Sequence, residues 1–131
     1  MKKFILMLVM ALFTITASSQ EKSPMIGSSF QYKLGDAEWT QAIGCNIPID
    51  LYAKSGKVII HTKVPQIINF KIYKWDEYAA YTTYIGTGKD QDGIGIEFIM
   101  TLYFNENKIT YLIRYPLINY QYLYTAYLLA N

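Results

Sequence analysis

Hydrophobic side chains fall on alternate positions along much of this chain, most clearly between residues 94 and 115. A period of two places alternate residues on one face of a β-strand. The polar run 105–108 interrupts the alternation, and its two asparagines tolerate the positive φ angles of a tight turn. The alternating residues are Ile94, Ile96, Phe98, Met100, Leu102, Phe104, Ile109, Tyr111, Ile113 and Tyr115. They predict a long β-hairpin with one continuous apolar face.

A second hairpin is predicted over residues 47–64, around a turn at 54–57. Turn-forming residues also separate four further strand candidates, at 29–34, 37–43, 68–74 and 78–85. Residues 75–77 are interpreted as a connection. The Gly- and Asp-rich run 86–93 is interpreted as a loop.

The segment after Pro116 fits two patterns. As a helix it would present Tyr120, Leu123, Tyr124, Tyr127 and Leu128 on one face. As a strand it would present Tyr120, Tyr122, Tyr124, Ala126 and Leu128. The density of tyrosine favours the strand. The chain then has about nine short strands joined by short turns, which predicts an all-β fold. The simplest path is an antiparallel meander that forms a small barrel or a two-layer sandwich.

The first 19 residues have the pattern of a signal peptide. Lys2 and Lys3 precede an apolar run of about 10–13 residues, and small residues follow at 17–19. This run is shorter than the roughly 20 residues that a helix needs to cross a bilayer. We predict cleavage after Ser19, a flexible leader over 20–28 and a single β domain over 29–131. The protein is then secreted or periplasmic, without stable membrane insertion once the signal is removed.

The charge balance excludes one class of partner. The chain has 12 basic and 10 acidic residues, and Lys2 and Lys3 leave with the signal, so 10 of each remain. A neutral chain with dispersed basic residues does not predict a nucleic-acid surface. Cys45 is the only cysteine and makes no internal disulfide.

No arrangement of polar residues in the sequence indicates a catalytic, metal or cofactor site. Residues 90–93 resemble a fragment of a calcium loop, but the glutamate and glycine of a complete loop are out of place. Cys45, His61 and Asp50 are the types that a thiol enzyme uses, yet nothing in their spacing requires them to meet. Glu97, in the middle of a strand, is the most notable carboxylate for a hydrolase that needs two.

Tyrosine is the strongest indication of function. All 13 tyrosines lie after the predicted signal. Tyrosine combines an apolar ring with a polar hydroxyl and is favoured at binding surfaces. We therefore predict a binding face on the outside of the sheet formed by the last two strands. Its predicted residues are Tyr111, Tyr115, Tyr120, Tyr122 and Tyr124.

Several features resemble the small secreted all-β proteins of the Bacteroidota type. They are the Ala-Ser-Ser ending of the signal, residues 38–40 before an alternating hairpin, residues 65–66 after its second strand, and the turn 90–93. This resemblance implies no activity. The predicted topology also resembles lipocalin barrels, although Gly35 and Trp39 are too far apart to form the Gly-x-Trp motif that opens that family.

Three functions remain open from the sequence. The first is an exported, non-catalytic binding or envelope-associated protein that holds a protein or glycan of the cell envelope on its tyrosine face. The second is a lipocalin-like carrier of a small apolar ligand, which would require a cavity of several hundred Å³. The third is a small carboxylate-dependent hydrolase, which would require two facing carboxylates, one with a raised pKa.

Overall fold

The computed structural model describes residues 22–129, in which eight antiparallel strands close into a barrel. The strands are β1 (Ser23–Leu34), β2 (Ile43–Tyr52), β3 (Lys57–Ile60), β4 (Gln66–Glu77), β5 (Tyr81–Lys89), β6 (Gly95–Tyr103), β7 (Lys108–Tyr115) and β8 (Tyr120–Leu128). Each strand pairs with its neighbours in sequence, and β1 also pairs with β8. The all-β antiparallel meander is confirmed, and of the two predicted arrangements the barrel is the one that forms.

The alternating apolar residues from Ile96 to Tyr115 point into the barrel, whereas Ile94 is exposed in the connection before β6. The central hairpin, β6 and β7, contributes Phe98, Tyr111 and Ile113, all with 0% of their surface exposed. The segment after Pro116 is a strand, as predicted, and Tyr122 and Tyr124 on its predicted face are buried. The period of two therefore predicted correctly which residues of these three strands share one face.

Several strand boundaries differ from the prediction. Residues 35–42 form a loop, so the predicted strand at 37–43 is wrong except for its last residue. Residues 75–77, predicted as a connection, continue β4 and pair with residues 82–84 of β5. Residues 23–28, assigned to a flexible leader, form the first half of β1 and pair with both β2 and β8. Eight strands result instead of about nine.

Two glycines that suggested a loop lie within β5. Gly86 and Gly88 face inward, where β4 and β5 approach each other closely. A Cβ atom on Gly88 would lie 2.8 Å from the Cα of Phe70 and would clash with the carbonyl oxygen of Asn69. Glycine in a strand often marks such a bend or close backbone approach. The predicted loop 86–93 is therefore shortened to the connection 90–94.

The meander gives the barrel two different ends. The upper end carries the connections 35–42, 61–65, 90–94 and 116–119, whereas the lower end carries 53–56, 78–80, 104–107 and both ends of the described chain. The predicted signal peptide, residues 1–19, lies outside the described residues, as do positions 20, 21, 130 and 131. Among residues 22–129, no helix has the length and apolar character needed to cross a membrane.

Candidate functional site

The five tyrosines predicted as an outward binding face all point into the barrel. Tyr111, Tyr122 and Tyr124 are buried, and Tyr115 and Tyr120 are half-buried near the upper end. The outward positions beside them are taken by Leu112, Arg114, Gln121, Leu123 and Thr125. The prediction of an outward tyrosine face on β7 and β8 is therefore wrong, because the tyrosines take the inner positions of both strands.

Tyr111 belongs to the core. Its ring lies 6.1 Å from that of Phe98, and its hydroxyl donates a hydrogen bond to the sulfur of Met25 at 3.0 Å. Burial raises the pKa of its hydroxyl well above the ordinary value. With no exposed surface, Tyr111 fills space between β1 and β6 and does not contact solvent.

The other four predicted tyrosines form one group, which we call the tyrosine cluster: Tyr115, Tyr120, Tyr122 and Tyr124. The rings of Tyr115, Tyr120 and Tyr122 lie 6.0–6.2 Å from one another. Tyr124 meets Tyr122 edge-on at 5.6 Å. Ring pairs at such distances and tilts are favourable beyond simple burial. The cluster therefore packs the upper half of the barrel interior.

Asp90 connects the tyrosine cluster to the connection 90–94. One carboxylate oxygen accepts hydrogen bonds from the backbone amides of Asp92 and Ile94, both at 2.9 Å. The other accepts a hydrogen bond from the hydroxyl of Tyr115 at 2.8 Å. Burial raises the pKa of Asp90, but the hydrogen bonds from Ile94, Tyr115 and Asp92 outweigh it and lower the pKa overall. A carboxylate held ionised in this way does not supply the proton that a hydrolase needs from its general acid.

The hydroxyls of the tyrosine cluster keep their protons. Burial is the main cause that raises the pKa of each of the four, and for Tyr115 the hydrogen bond to Asp90 raises it further. They act as neutral donors and acceptors. The side-chain oxygen of Gln66 is buried without a hydrogen-bond partner among the described residues.

The three residues considered for a thiol enzyme do not form a site. His61 lies 2.8 Å from the carboxylate of Asp50, which Lys22 also approaches at 3.3 Å. Cys45 lies five positions away from Asp50 on β2, roughly 16 Å along the strand. Its thiol donates to the carbonyl oxygen of Gly27 at 3.3 Å, and burial raises its pKa. A thiol with a raised pKa is a poor nucleophile.

Glu97 and the turn 90–93, the remaining polar candidates, do not form a site together either. Glu97 is exposed on the outside of β6, where it lies 3.6 Å from Arg114. Residues 90–93 form a tight turn in which the Asp90 carboxylate is already bonded to backbone amides and Tyr115. Within residues 22–129, no group of three or more His, Cys, Asp or Glu side chains is placed to hold a metal ion.

A pocket of about 360 Å³ opens in the barrel wall near the lower end. It exists because β3 has only four residues and pairs with β4 no further than Asn69, whereas β4 continues to Glu77 with β5 as its partner. The turn 53–56 lies beside this gap, and the amide of Phe70 donates to the carbonyl oxygen of Gly56 at 2.8 Å. The pocket is lined by Ala53, Lys54, Ser55, Gly56, Phe70, Lys71, Ile72, Tyr84 and Met100.

The inner wall of the pocket is apolar and firmly packed. Phe70 stacks on Phe98 with ring centres 4.1 Å apart and planes inclined by 13°. Tyr84 and Met100 are direct cross-strand partners on β5 and β6, and both are buried. Polar groups lie mainly on the turn side, where Lys54 and Ser55 line the pocket. An apolar interior with a few polar groups is typical of small-molecule sites.

Sequence reasoning missed this pocket because no single residue indicates it. Phe70, Ile72 and Tyr84 have the same alternation as any inward-facing residues. The opening forms because β3 is much shorter than β4. The lengths of the two strands depend on where each one stops pairing with its neighbour. No protein-family model, curated protein or solved structure matches the chain significantly.

Proposed function

We propose that this protein is an exported carrier of a small, largely apolar molecule. The observation that carries the proposal is the pocket of about 360 Å³ between the turn 53–56 and the inner faces of β4, β5 and β6. Ligand sites for small molecules commonly enclose about 300–1,000 Å³ and have mainly apolar walls. This pocket has that size and that lining.

The alternatives have weaker support. The five tyrosines predicted as an outward face on β7 and β8 point into the barrel, so they do not form that face. For a hydrolase with two carboxylates, Asp90 and Glu97 do not serve as a facing pair, since Asp90 has a lowered pKa and Glu97 lies outside beside Arg114. Export is supported by the signal pattern of residues 1–19, and we keep it as part of the proposal.

A neutral fluorescent probe tests the pocket directly. We expect N-phenyl-1-naphthylamine to bind the chain from Gln20 to Asn131 with a rise in fluorescence. Ala53→Trp places a large ring at the pocket and should weaken binding at least tenfold. Ala79→Trp, the same substitution in the connection 78–80 outside the pocket lining, should leave binding unchanged.

Circular dichroism and thermal unfolding establish that each variant is folded before binding is compared. Ser55→Trp provides a second pocket-filling variant from the exposed turn. Failure of the wild-type chain to bind the probe, or equal binding by wild type and both pocket variants, would contradict the carrier. If the wild-type chain binds the probe and both pocket variants do not, mass spectrometry of organic extracts from the natively purified protein identifies the molecule that the pocket holds.

A further inference from the structure

A row of tyrosines crosses the outside of the barrel near its lower end. The register aligns Tyr81 of β5 with Tyr103 of β6, Tyr103 with Lys108 of β7, and Lys108 with Tyr127 of β8. Their inward neighbours Thr82, Leu102, Ile109 and Ala126 are buried, so the row itself faces outward. Tyr78, in the connection 78–80, extends the row by packing on Tyr81. We call Tyr78, Tyr81, Tyr103 and Tyr127 the outer tyrosine row.

Three rings of this row are in contact, and Lys108 separates them from Tyr127 at the far end. Tyr78 and Tyr81 have ring centres 4.7 Å apart, and Tyr81 and Tyr103 have ring centres 5.5 Å apart. The ammonium group of Lys108 lies over Tyr103 at 4.4 Å from the ring centre, a cation–π geometry. Tyr78 and Tyr127, at the two ends, are 47% and 42% exposed. The row therefore offers aromatic surface to a molecule outside the barrel.

A row of threonines runs beside the tyrosines. The register aligns Thr83, Thr101, Thr110 and Thr125 across the same four strands. The hydroxyl oxygens of Thr83 and Thr101 lie 3.2 Å apart. Thr101 is buried and bonded to Thr83, whereas Thr110 and Thr125 are half-buried. A threonine hydroxyl supplies one donor and can accept hydrogen bonds. Two residues along a strand separate the rows by about 7 Å, so one extended molecule can contact both.

The two rows carry almost no charge. Lys108 is the only ionisable residue of the two rows other than the tyrosines, and its ammonium group lies 3.6 Å from the carboxylate of Glu106. Such a surface does not favour an anionic polymer. It matches a partner that is uncharged, has apolar patches and carries many hydroxyl groups.

We infer that the outer tyrosine row is a docking surface for a neutral, extended glycan. A pyranose ring presents C–H groups on its faces, which pack on aromatic rings, and hydroxyls at its rim, which bond to Tyr and Thr. Neighbouring strands are about 4.8 Å apart, so the row repeats on the scale of single sugar rings. This surface lies outside the barrel, separate from the inward-facing pocket, and the inference does not depend on the carrier function.

Affinity electrophoresis in gels that contain a soluble polysaccharide tests the inference. We expect at least one of laminarin, xylan, mannan and dextran to slow the chain from Gln20 to Asn131, and polygalacturonate to slow it much less. Tyr103→Ala and Tyr81→Ala should each weaken the affinity measured from the retardation at least tenfold. Tyr73→Ala removes an exposed tyrosine of β4 outside the row and should change this affinity less than twofold.

Thermal unfolding of each variant separates lost binding from lost folding, and light scattering gives the oligomeric state. The inference is overturned if none of the four neutral polysaccharides slows the wild-type chain. It is also overturned if Tyr73→Ala weakens retardation as much as Tyr103→Ala does. A wild-type dimer that dissociates in Tyr103→Ala would overturn it as well, because a second copy would then cover the row.

Discussion

The carboxylate of Asp90 accepts three hydrogen bonds at the upper end of the barrel. It accepts them from two backbone amides of its own turn and from the hydroxyl of Tyr115, whose ring lies 6.2 Å from that of Tyr122. The connection 90–94 is thereby tied to the tyrosine cluster of β7 and β8. Hydrogen bonds to an ionised group contribute more than neutral ones, about 1.5–3 kcal/mol each.

The first prediction concerns acid stability. The pKa of Asp90 is lowered in the folded state, so its ionised form favours folding. That contribution is present above the ordinary aspartate pKa of about 3.9 and is lost as the pH falls through the lowered folded-state pKa. Asp90→Asn should lower the free energy of unfolding by about 1–3 kcal/mol at pH 7. Below about pH 4, the free energy of unfolding of this variant should fall less steeply with pH than that of the wild type. Urea denaturation between pH 2 and pH 7 measures both effects.

Asp92→Asn serves as the control for this prediction. Asp92 is an exposed carboxylate two residues away, and its side chain has a single hydrogen bond, from Gln91 at 3.4 Å. We expect its free energy of unfolding to differ from that of the wild type by no more than about 0.5 kcal/mol, as for most surface substitutions. An Asp90→Asn variant as stable as this control at pH 7 would show that the lowered pKa does not contribute to folding.

At the same scale, the sequence predicted which residues share a face but assigned one face to the wrong side. Tyr120, Tyr122 and Tyr124 alternate with Gln121, Leu123 and Thr125. Both sets are partly apolar, so alternation alone does not decide which is inside. The hydroxyl group suggested an outward position for tyrosine. The structure packs the rings inside the barrel and bonds the hydroxyl of Tyr115 to Asp90, a contact between residues distant in sequence.

At the scale of elements, strand identity was predictable and strand ends were not. The β6–β7 hairpin lies where alternation and turn residues place it, whereas the hairpin predicted over 47–64 forms over 43–60, because β3 ends at Ile60. The lower part of β4 was missed because Asp76 and Glu77 are typical of connections. A break in the pairing register between Ile72 and Lys74 shifts the alternation of inward and outward residues by one position. The strand nevertheless continues, because residues 82–85 of β5 pair with residues 74–77. Pairing with a neighbouring strand overrides local composition at such positions.

The second prediction tests the close approach of β4 and β5. Gly88→Ala introduces a Cβ against the backbone of Asn69 and Phe70, which are held in the sheet. Overpacking of this kind typically costs about 1–3 kcal/mol. Gly95→Ala is the matched control, because nothing lies within 4 Å of its Cβ position. We expect it to be neutral or slightly stabilising, by up to about 1 kcal/mol, since alanine restricts the unfolded chain.

Urea denaturation compares the stabilities of the two alanine variants through their midpoints, provided that the dependence of the unfolding free energy on urea has the same slope in both. A Gly88→Ala protein with the same midpoint as Gly95→Ala would contradict the close approach. The result also concerns the pocket, because Phe70 is both a neighbour of Gly88 and part of the pocket lining. We therefore expect Gly88→Ala to weaken binding of the neutral probe as well.

At the scale of the whole molecule, closure through β1 and β8 completes the fold. Nine residues of β1 have partners on β8, from Met25 to Leu34, and the same strand pairs with β2. Closure removes the open edges that a flat sheet would expose to other chains. It also encloses Met25 and Gly27 among buried residues of β2, β7 and β8. The sequence predicted a meander, but the lack of any clear alternation before residue 29 concealed the lower half of β1.

The last prediction concerns the residues needed to close the barrel. The chain from Gln20 to Asn131, which begins at the predicted cleavage site, contains all of β1 and should unfold cooperatively with a β-sheet circular dichroism spectrum. The chain from Ser29 to Asn131, the domain predicted from sequence, lacks Met25 and Gly27 and leaves the lower parts of β2 and β8 without their partner. Loss of the buried Met25 alone is expected to cost about 2–5 kcal/mol, a large share of the 5–15 kcal/mol that stabilises a typical domain. We therefore expect the shorter chain to show no cooperative transition. A shorter chain that melts within a few degrees of the longer one would mean that the barrel does not require the first half of β1.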